Sequence, residues 1–341
     1  MDIAQEILET MTLEEKVGQM FFVRYPDDQT AITDAKAYNI GGYVLFAKDF
    51  EGKTREAVAS QIKLCSNSAK FPMLISVDEE GGLVTRVSKF TEFRSEPFKS
   101  PQALFAEGGF EKIHSDTLEK CDLLKSLGIN VNLAPVCDVC QDSSAFIYER
   151  TIGADAATTS QYVASVVSDM KSQQVGSALK HFPGYGSNGD THTDIIVDNR
   201  PLSEFETADF LPFKAGISSG ADIVLVSHNI VNAMDSSYPA SLSPEVHRVL
   251  RENLGFSGVI MTDELSMSAI TKYTDGNMAA VQAVKAGNDL LCCTDYKEQI
   301  PAVINAVKAG EISEEAINQS VKRIIQLKLN LGLIDENSVQ H

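Results

Sequence analysis

Asp263 closes the apolar run Gly258-Val259-Ile260-Met261-Thr262 and is followed by Glu264-Leu265-Ser266-Met267. A carboxylate held rigidly at a strand end can attack an anomeric carbon and form a glycosyl-enzyme ester. The plainer use of such an aspartate is to cap the next turn; the neighbouring Glu264 points elsewhere, to cap or to pair. Asp190 and His192 stand two residues apart in Tyr185-Gly186-Ser187-Asn188-Gly189-Asp190-Thr191-His192, a run of small residues that reads as a loop. A carboxylate at that spacing can accept the histidine ring N–H and raise its pKa, giving a stronger base and a charged acid. The alternative is a polar loop with an exposed histidine.

Lys180-His181 abut a further apolar run, and Phe182-Pro183-Gly184 then force a turn. Asp78 and Arg86 flank Glu79-Glu80-Gly81-Gly82, where paired glycines permit close backbone approach. Arg150 closes a polar insertion. A carboxylate ringed by arginine and lysine donors suits sugar hydroxyls, although each member alone could serve a structural ion pair. No Walker motif, G-x-S-x-G or H-E-x-x-H occurs.

These residues need a scaffold that brings strand ends together. Eight β-type runs alternate with helical patterns: Met20–Val23, Gly42–Phe46, Met73–Val77, Val131–Ala134, Ser177–Leu179, Ile223–Val226, Val259–Met261 and Leu290–Cys292. Arg55–Asn67, Gln161–Lys171 and Pro244–Leu254 have helical apolar spacing, and Thr12-Leu13-Glu14-Glu15 is a capping-box pattern. Strands alternating with helices imply a parallel sheet, and eight such units in this length predict a single α/β (β/α)₈ TIM-type barrel. Each run stops at a polar or special residue: Arg24, Lys48, Asp78, Pro135 with Asp138, Lys180-His181, Ser227-His228, Asp263 and Thr294-Asp295. In a barrel these points share the C-terminal face, where active sites are built. The longest insertions are Asp78–Glu107 and Asp138–Asp155, and the Ala283–Leu331 end is helical and closes the barrel. Residues 1–341 therefore read as one catalytic domain.

The 341 residues carry 29 Lys plus Arg against 47 Asp plus Glu, a formal charge of −18. That acidity argues against nucleic acid and against anionic membrane surfaces as partners. No apolar run suits a bilayer span, and the N-terminus has no signal-peptide pattern, so a cytoplasmic location is expected. Cys137 and Cys140 form a C-x-x-C without a second pair or histidines at ligand spacing. They, like adjacent Cys292 and Cys293, read as reduced structural cysteines. Neither metal nor organic cofactor is expected.

Eight segments in order carry a more specific signal: MTLEEKVGQM (Met11–Met20), ISVDEEGGLVTRV (Ile75–Val87), GINVNLAPVCDV (Gly128–Val139), ERTIGAD (Glu149–Asp155), LKHFPGYG (Leu179–Gly186), GDTHTD (Gly189–Asp194), LVSH (Leu225–His228) and GFSGVIMTDELSM (Gly255–Met267). With them the chain resembles a bacterial β-N-acetylhexosaminidase of glycoside hydrolase family 3, of the cytoplasmic peptidoglycan-recycling type. The resemblance implies Asp263 as nucleophile, His192 as acid/base and Asp190 as its orienter. It implies Asp78, Arg86, Arg150, Lys180 and His181 as binders of N-acetylglucosamine. Two positions depart from the family pattern: Tyr185 stands where histidine is usual and Glu79 where glutamine is usual. The C-terminal α/β sandwich that many members add is not expected here. In the β-glucosidase branch the acid/base carboxylate comes from that region, so Asp190-Thr191-His192 points to the hexosaminidase branch.

The expected activity is retaining exo-β-N-acetylglucosaminidase action on small carbohydrates, by a monomer or weak homo-oligomer. Three rivals stand beside it. One is the same double displacement with phosphate as acceptor, which a neutral histidine would not repel. Another is a Schiff-base aldolase using Lys180. The last is a catalytically inactive sugar-binding protein.

Overall fold

The computed structural model describes residues 2–187, 189, 196–267, 270, 273–274 and 279–334. Eight parallel strands form its centre: β1 Phe21–Arg24, β2 Gly42–Leu45, β3 Leu74–Val77, β4 Val131–Asn132, β5 Gly176–Phe182, β6 Ile223–Val226, β7 Val259–Thr262 and β8 Leu291–Cys293. Each pairs with its sequence neighbour, β8 pairs with β1, and a parallel bridge between Met261 and Leu290 joins β7 to β8. The ring is thus the expected (β/α)₈ barrel. Strands buried on both faces must be continuously apolar, and β2, β3, β6 and β7 are buried along their whole length.

The helices follow their caps. In α1 Ile3–Glu9 and α2 Leu13–Gln19 the chain first turns; Thr12 and Glu15 form the expected capping box. Helix α3 spans Asp28–Ala37 and α4 spans Arg55–Ser68. Helix α5, Pro101–Ser126, starts at Ser100, which accepts the Ala103 N–H, with Pro101 in the first turn. It absorbs Pro101–Glu107, so the insertion after β3 ends sooner than its polar composition suggests. The helix breaks at Gly108-Gly109, where Gly109 has φ +61°. Helix α6, Ala156–Ser172, starts before Gln161 because Asp155 accepts the Thr158 N–H; the valine stripe marked only its buried face.

Further along, α7 is Phe210–Ser218 and α8 is Pro244–Arg248. The rest of the anticipated Pro244–Leu254 helix widens into a π turn over Val249–Asn253. Helices α9 Ala279–Ala286, α10 Tyr296–Lys308 and α11 Glu314–Asn330 complete the ring. A short parallel ribbon, Val197–Asp198 with Ile230–Val231, was not anticipated.

The informative difference lies in β5. The apolar pattern ends at Leu179, yet the strand continues to Phe182, and its register with β6 shifts between Leu179 and Phe182. Lys180 and His181 therefore sit within the strand, in rigid backbone. All six cysteines are free and buried. Among the described residues no helix is long and apolar enough to cross a membrane. On the far side of the fold, buried Lys328 of α11 donates to Gln19 Oε1 of α2 at 2.5 Å, and burial pushes its ammonium down to about 7.

Candidate active site

The loop leaving β3 supplies the first carboxylates. Asp78 follows Val77 and is half-buried, with an oxygen 2.7 Å from Lys180 Nζ. Glu80 lies buried next to it and meets the same ammonium at 2.5 Å. Arg150 reaches Glu80 from the β4 insertion through two bonds, Nε to Oε2 at 3.0 Å and Nη2 to Oε1 at 2.8 Å. Two parallel N–H donors on one carboxylate fix the plane of both groups. Burial alone would raise the Glu80 carboxyl, but Lys180 and Arg150 outweigh it and hold it well below the ordinary range.

Burial likewise works against the charge on Lys180. Asp78 and Glu80 prevail and keep its ammonium above the ordinary lysine value. A Schiff-base lysine needs a neutral amine, so this environment works against the aldolase rival.

Glu79 plays a different part. It is fully buried, and its carboxylate accepts the backbone N–H groups of Arg86 (2.8 Å), Val87 (2.7 Å) and Ser88 (3.3 Å) and the Ser88 hydroxyl (2.5 Å). The departure from glutamine thus falls on a loop anchor, where an acceptor-only group matches four donors. Gly81 and Gly82 both have positive φ, and a Cβ on Gly81 would lie 2.2 Å from the Lys99 carbonyl. Only glycine lets the loop fold back so tightly.

His181 is buried and held on both nitrogens. Nδ1 lies 2.8 Å from Asp138 Oδ2 and Nε2 lies 3.2 Å from Arg150 Nη2. The guanidinium can only donate, so Nε2 accepts and Nδ1 carries the proton. Asp138 also accepts the backbone N–H groups of His181 at 3.1 Å and Tyr185 at 2.7 Å. The Tyr185 ring packs edge-on against His181 and Phe146, each with a centroid separation of 5.1 Å. The second family departure therefore supports the back of the imidazole.

Asp263 follows β7 on the same face. It is half-buried; its N–H donates to the Val226 carbonyl at 3.0 Å and its Oδ1 accepts the Glu264 N–H at 2.8 Å. Glu264 turns to Thr294, accepting its N–H at 3.1 Å and its hydroxyl at 2.9 Å. The buried Cys292 thiol reports on the convergence of the strand ends. It is pushed well up by burial first, then by the charges of Glu264, Asp263, Cys293 and Asp78. His228 is buried against Ser241 Oγ (2.7 Å) and the Glu264 carbonyl (2.9 Å), a structural post. Arg86 faces the Phe46 ring at 5.7 Å, outside the Lys180 cluster. Asp190 and His192 lie outside the described residues.

Two members escaped the sequence reading. Glu80 was seen only as part of a paired-acid, paired-glycine run, and Asp138 only as a strand-end residue. The signal for both was their place directly beyond β3 and β4; what singles them out is burial with cationic or imidazole partners. A cavity of about 750 Å³ opens at the opposite end of the barrel, among Lys171, Asp222, Phe256 and Arg323. It is remote from these groups.

A parallel barrel with buried carboxylates, lysine, arginine and histidine converging on its C-terminal face defines an α/β-barrel enzyme, and comparison with known proteins specifies a glycoside hydrolase. Residues 12–327 match the glycosyl hydrolase family 3 N terminal domain, and the chain belongs to that family. A beta-hexosaminidase of Stenotrophomonas maltophilia is 32% identical over 287 residues, 82% of this chain and 83% of its own. The beta-hexosaminidase LpqI of Mycobacterium tuberculosis is 29% identical over 331 residues, 92% of this chain and 82% of its own. The structure of a family 3 beta-N-acetylglucosaminidase from Paenibacillus superposes with a TM-score of 0.88 at 30% identity, over 95% of this chain; the match spans 63% of that protein.

Proposed function

We propose that this glycoside hydrolase is a retaining exo-β-N-acetylglucosaminidase acting on terminal β-linked N-acetylglucosamine, with cytoplasmic peptidoglycan fragments as its substrates. The observation that carries the reading is the paired cluster Asp78–Lys180–Glu80–Arg150–His181, a rigid set of donors and acceptors on the same C-terminal face of the barrel as Asp263. The names of the relatives support the same sugar.

In the reaction Asp263 attacks C1, forming a C1–Oδ ester as the glycosidic C1–O bond breaks. His192, oriented by Asp190, gives its proton to the departing oxygen. Neutral His192 then takes a proton from water, whose oxygen attacks C1 and releases Asp263. Lys180, Arg150, Asp78 and His181 hold the sugar, and Glu80 and Asp138 orient them. Two inversions at C1 give net retention.

The enzyme is expected to prefer aryl β-N-acetylglucosaminides to the matching glucosides in kcat/KM by roughly 10²-fold or more, the effect expected when a site built for a hydrogen-bonding substituent meets a substrate lacking it. Equal or better kcat/KM on the glucoside would overturn the assignment. The same assay in phosphate buffer, with sugar 1-phosphate as the analysed product, decides between water and phosphate as acceptor.

A further inference from the structure

Arg200 meets four groups at once. Its Nε donates to Asp198 Oδ1 at 3.2 Å and its Nη2 to Asp198 Oδ2 at 2.8 Å, a bidentate pair. Nη1 donates to Asp209 Oδ2 at 2.9 Å, and Nη2 also donates to the Gly184 carbonyl at 3.1 Å. The Cζ lies 4.3 Å from the centroid of the buried Phe205 ring. Phe205 and Asp209 begin and end a π turn, Phe205–Asp209, that leads into α7. Both carboxylates are buried.

Two of these partners flank one stretch of chain. Gly184 stands two residues beyond β5, and its N–H donates to the His181 carbonyl at 2.8 Å. Asp198 ends the ribbon strand Val197–Asp198, which is pinned by the Ile230 N–H on the Ile196 carbonyl (2.8 Å) and the Asn232 N–H on the Asp198 carbonyl (3.0 Å). Asp190 and His192 lie between them in the sequence. The outgoing chain passes directly over the ionic group: a Cβ on Gly184 (φ +120°) would lie 2.3 Å from Asp209 Oδ1, and one on Gly186 (φ +55°) 2.7 Å from Arg200 Cζ.

Stability is a poor reason for such a group. Burial pushes the Asp209 carboxyl up to about 7 against the pull of Arg200, and buried ion pairs are often no better for stability than apolar residues of the same volume. What the group supplies is geometry, because a guanidinium fork fixes the plane of the carboxylate it meets.

We infer that Arg200, held by Asp198 and Asp209, is a positioning residue for acid/base catalysis: it ties both ends of the stretch that carries Asp190 and His192 to one point beside β5. The inference rests on the proposed role of His192. It concerns a residue that nothing in the sequence had singled out.

The test is a leaving-group series of aryl β-N-acetylglucosaminides, from dinitrophenyl to phenyl, on the wild type, Arg200→Lys, His192→Ala and the double variant. The readout is kcat/KM, which reports the steps up to the first bond cleavage. Arg200→Lys keeps the charge and loses the fork. It should cost about 10²-fold on the phenyl glycoside, the penalty of a reacting group misplaced by about 1 Å. On the dinitrophenyl glycoside, which departs without protonation, the loss should be about threefold or less. In the His192→Ala background the acid that Arg200 serves is gone, so Arg200→Lys should add about threefold or less on every substrate. No loss, a loss independent of leaving-group pKa, or one that multiplies with that of His192→Ala overturns the inference alone. A His192→Ala loss that is itself independent of leaving-group pKa overturns the acid/base reading, and the inference with it. Asp209→Asn keeps the shape of the group and carries the same comparison if Arg200→Lys does not fold.

Discussion

Asp263→Ala is expected to lower turnover of an aryl N-acetylglucosaminide by roughly 10⁴-fold or more, since the covalent route loses its nucleophile. The barrel should remain folded. The side chain is half-buried at the open face, and the hydrogen bond it makes among the described residues is a local one to the Glu264 N–H, worth about 1 kcal/mol. Azide supplies a sharper signature than activity alone. With the carboxylate gone, azide can enter from the face that Asp263 occupied and displace an activated aryl leaving group in one inversion. The product is then the α-glycosyl azide. Product configuration by NMR is the measurement; near-normal hydrolysis by a folded Asp263→Ala protein removes this residue from the mechanism, and so does a β-configured azide.

His192→Ala should cost roughly 10²–10⁴-fold on substrates with poor leaving groups, the usual contribution of a positioned general acid. The loss in the first step should shrink for an activated phenol, which departs without protonation. The second step still lacks a base, so azide should restore turnover by attacking the glycosyl-enzyme. Because Asp263 has already inverted the centre once, this azide product has the β configuration. The two variants are therefore distinguished by opposite stereochemistry with the same reagent. Asp190→Ala should show a milder form of the His192 pattern, since it removes only the orienting carboxylate. A leaving-group series decides the matter. A His192→Ala loss that does not vary with leaving-group pKa would assign His192 to substrate positioning.

The barrel was legible because its signals are local. Each strand buried on both faces leaves a short apolar run, and the strands Ile223–Val226 and Leu74–Val77 lie where those runs are. What misled was the assumption that a strand ends where apolarity ends. Lys180 and His181 stay in β5 because charged and hydrogen-bonding partners from three other segments satisfy them there, and no window of sequence around residue 180 contains Asp78, Glu80, Asp138 or Arg150. The same reason hid Glu80. Glu79 and Glu80 are adjacent and chemically alike, yet one anchors backbone amides and the other joins two cations. Asp78, Lys180, His181 and Arg150 were legible as individuals from their strand-end or insertion-end positions; their pairing emerged only in three dimensions. The α6 boundary shows the helical counterpart: an apolar stripe marks the face that packs, and the cap, here Asp155, marks the beginning.

Lys328 couples the fold to proton concentration. In the unfolded chain this amine binds its proton up to about the ordinary lysine value of 10.5, whereas in the barrel it lets go near 7. Between those limits the unfolded state holds the extra proton, so the linkage slope is positive and this group makes the fold more stable as pH rises. Its destabilising contribution is complete below about 7 and vanishes above about 10.5. Lys328→Met keeps an unbranched apolar stem and removes the titration. Urea unfolding of both proteins at neutral and alkaline pH should show the wild type gaining relative to the variant as pH rises; parallel profiles would mean that the buried amine keeps its proton at neutral pH. The acid-rich surface thus has its mutual repulsion complete by neutral pH and adds nothing further in alkali, while the amine beneath α2 is still shedding charge.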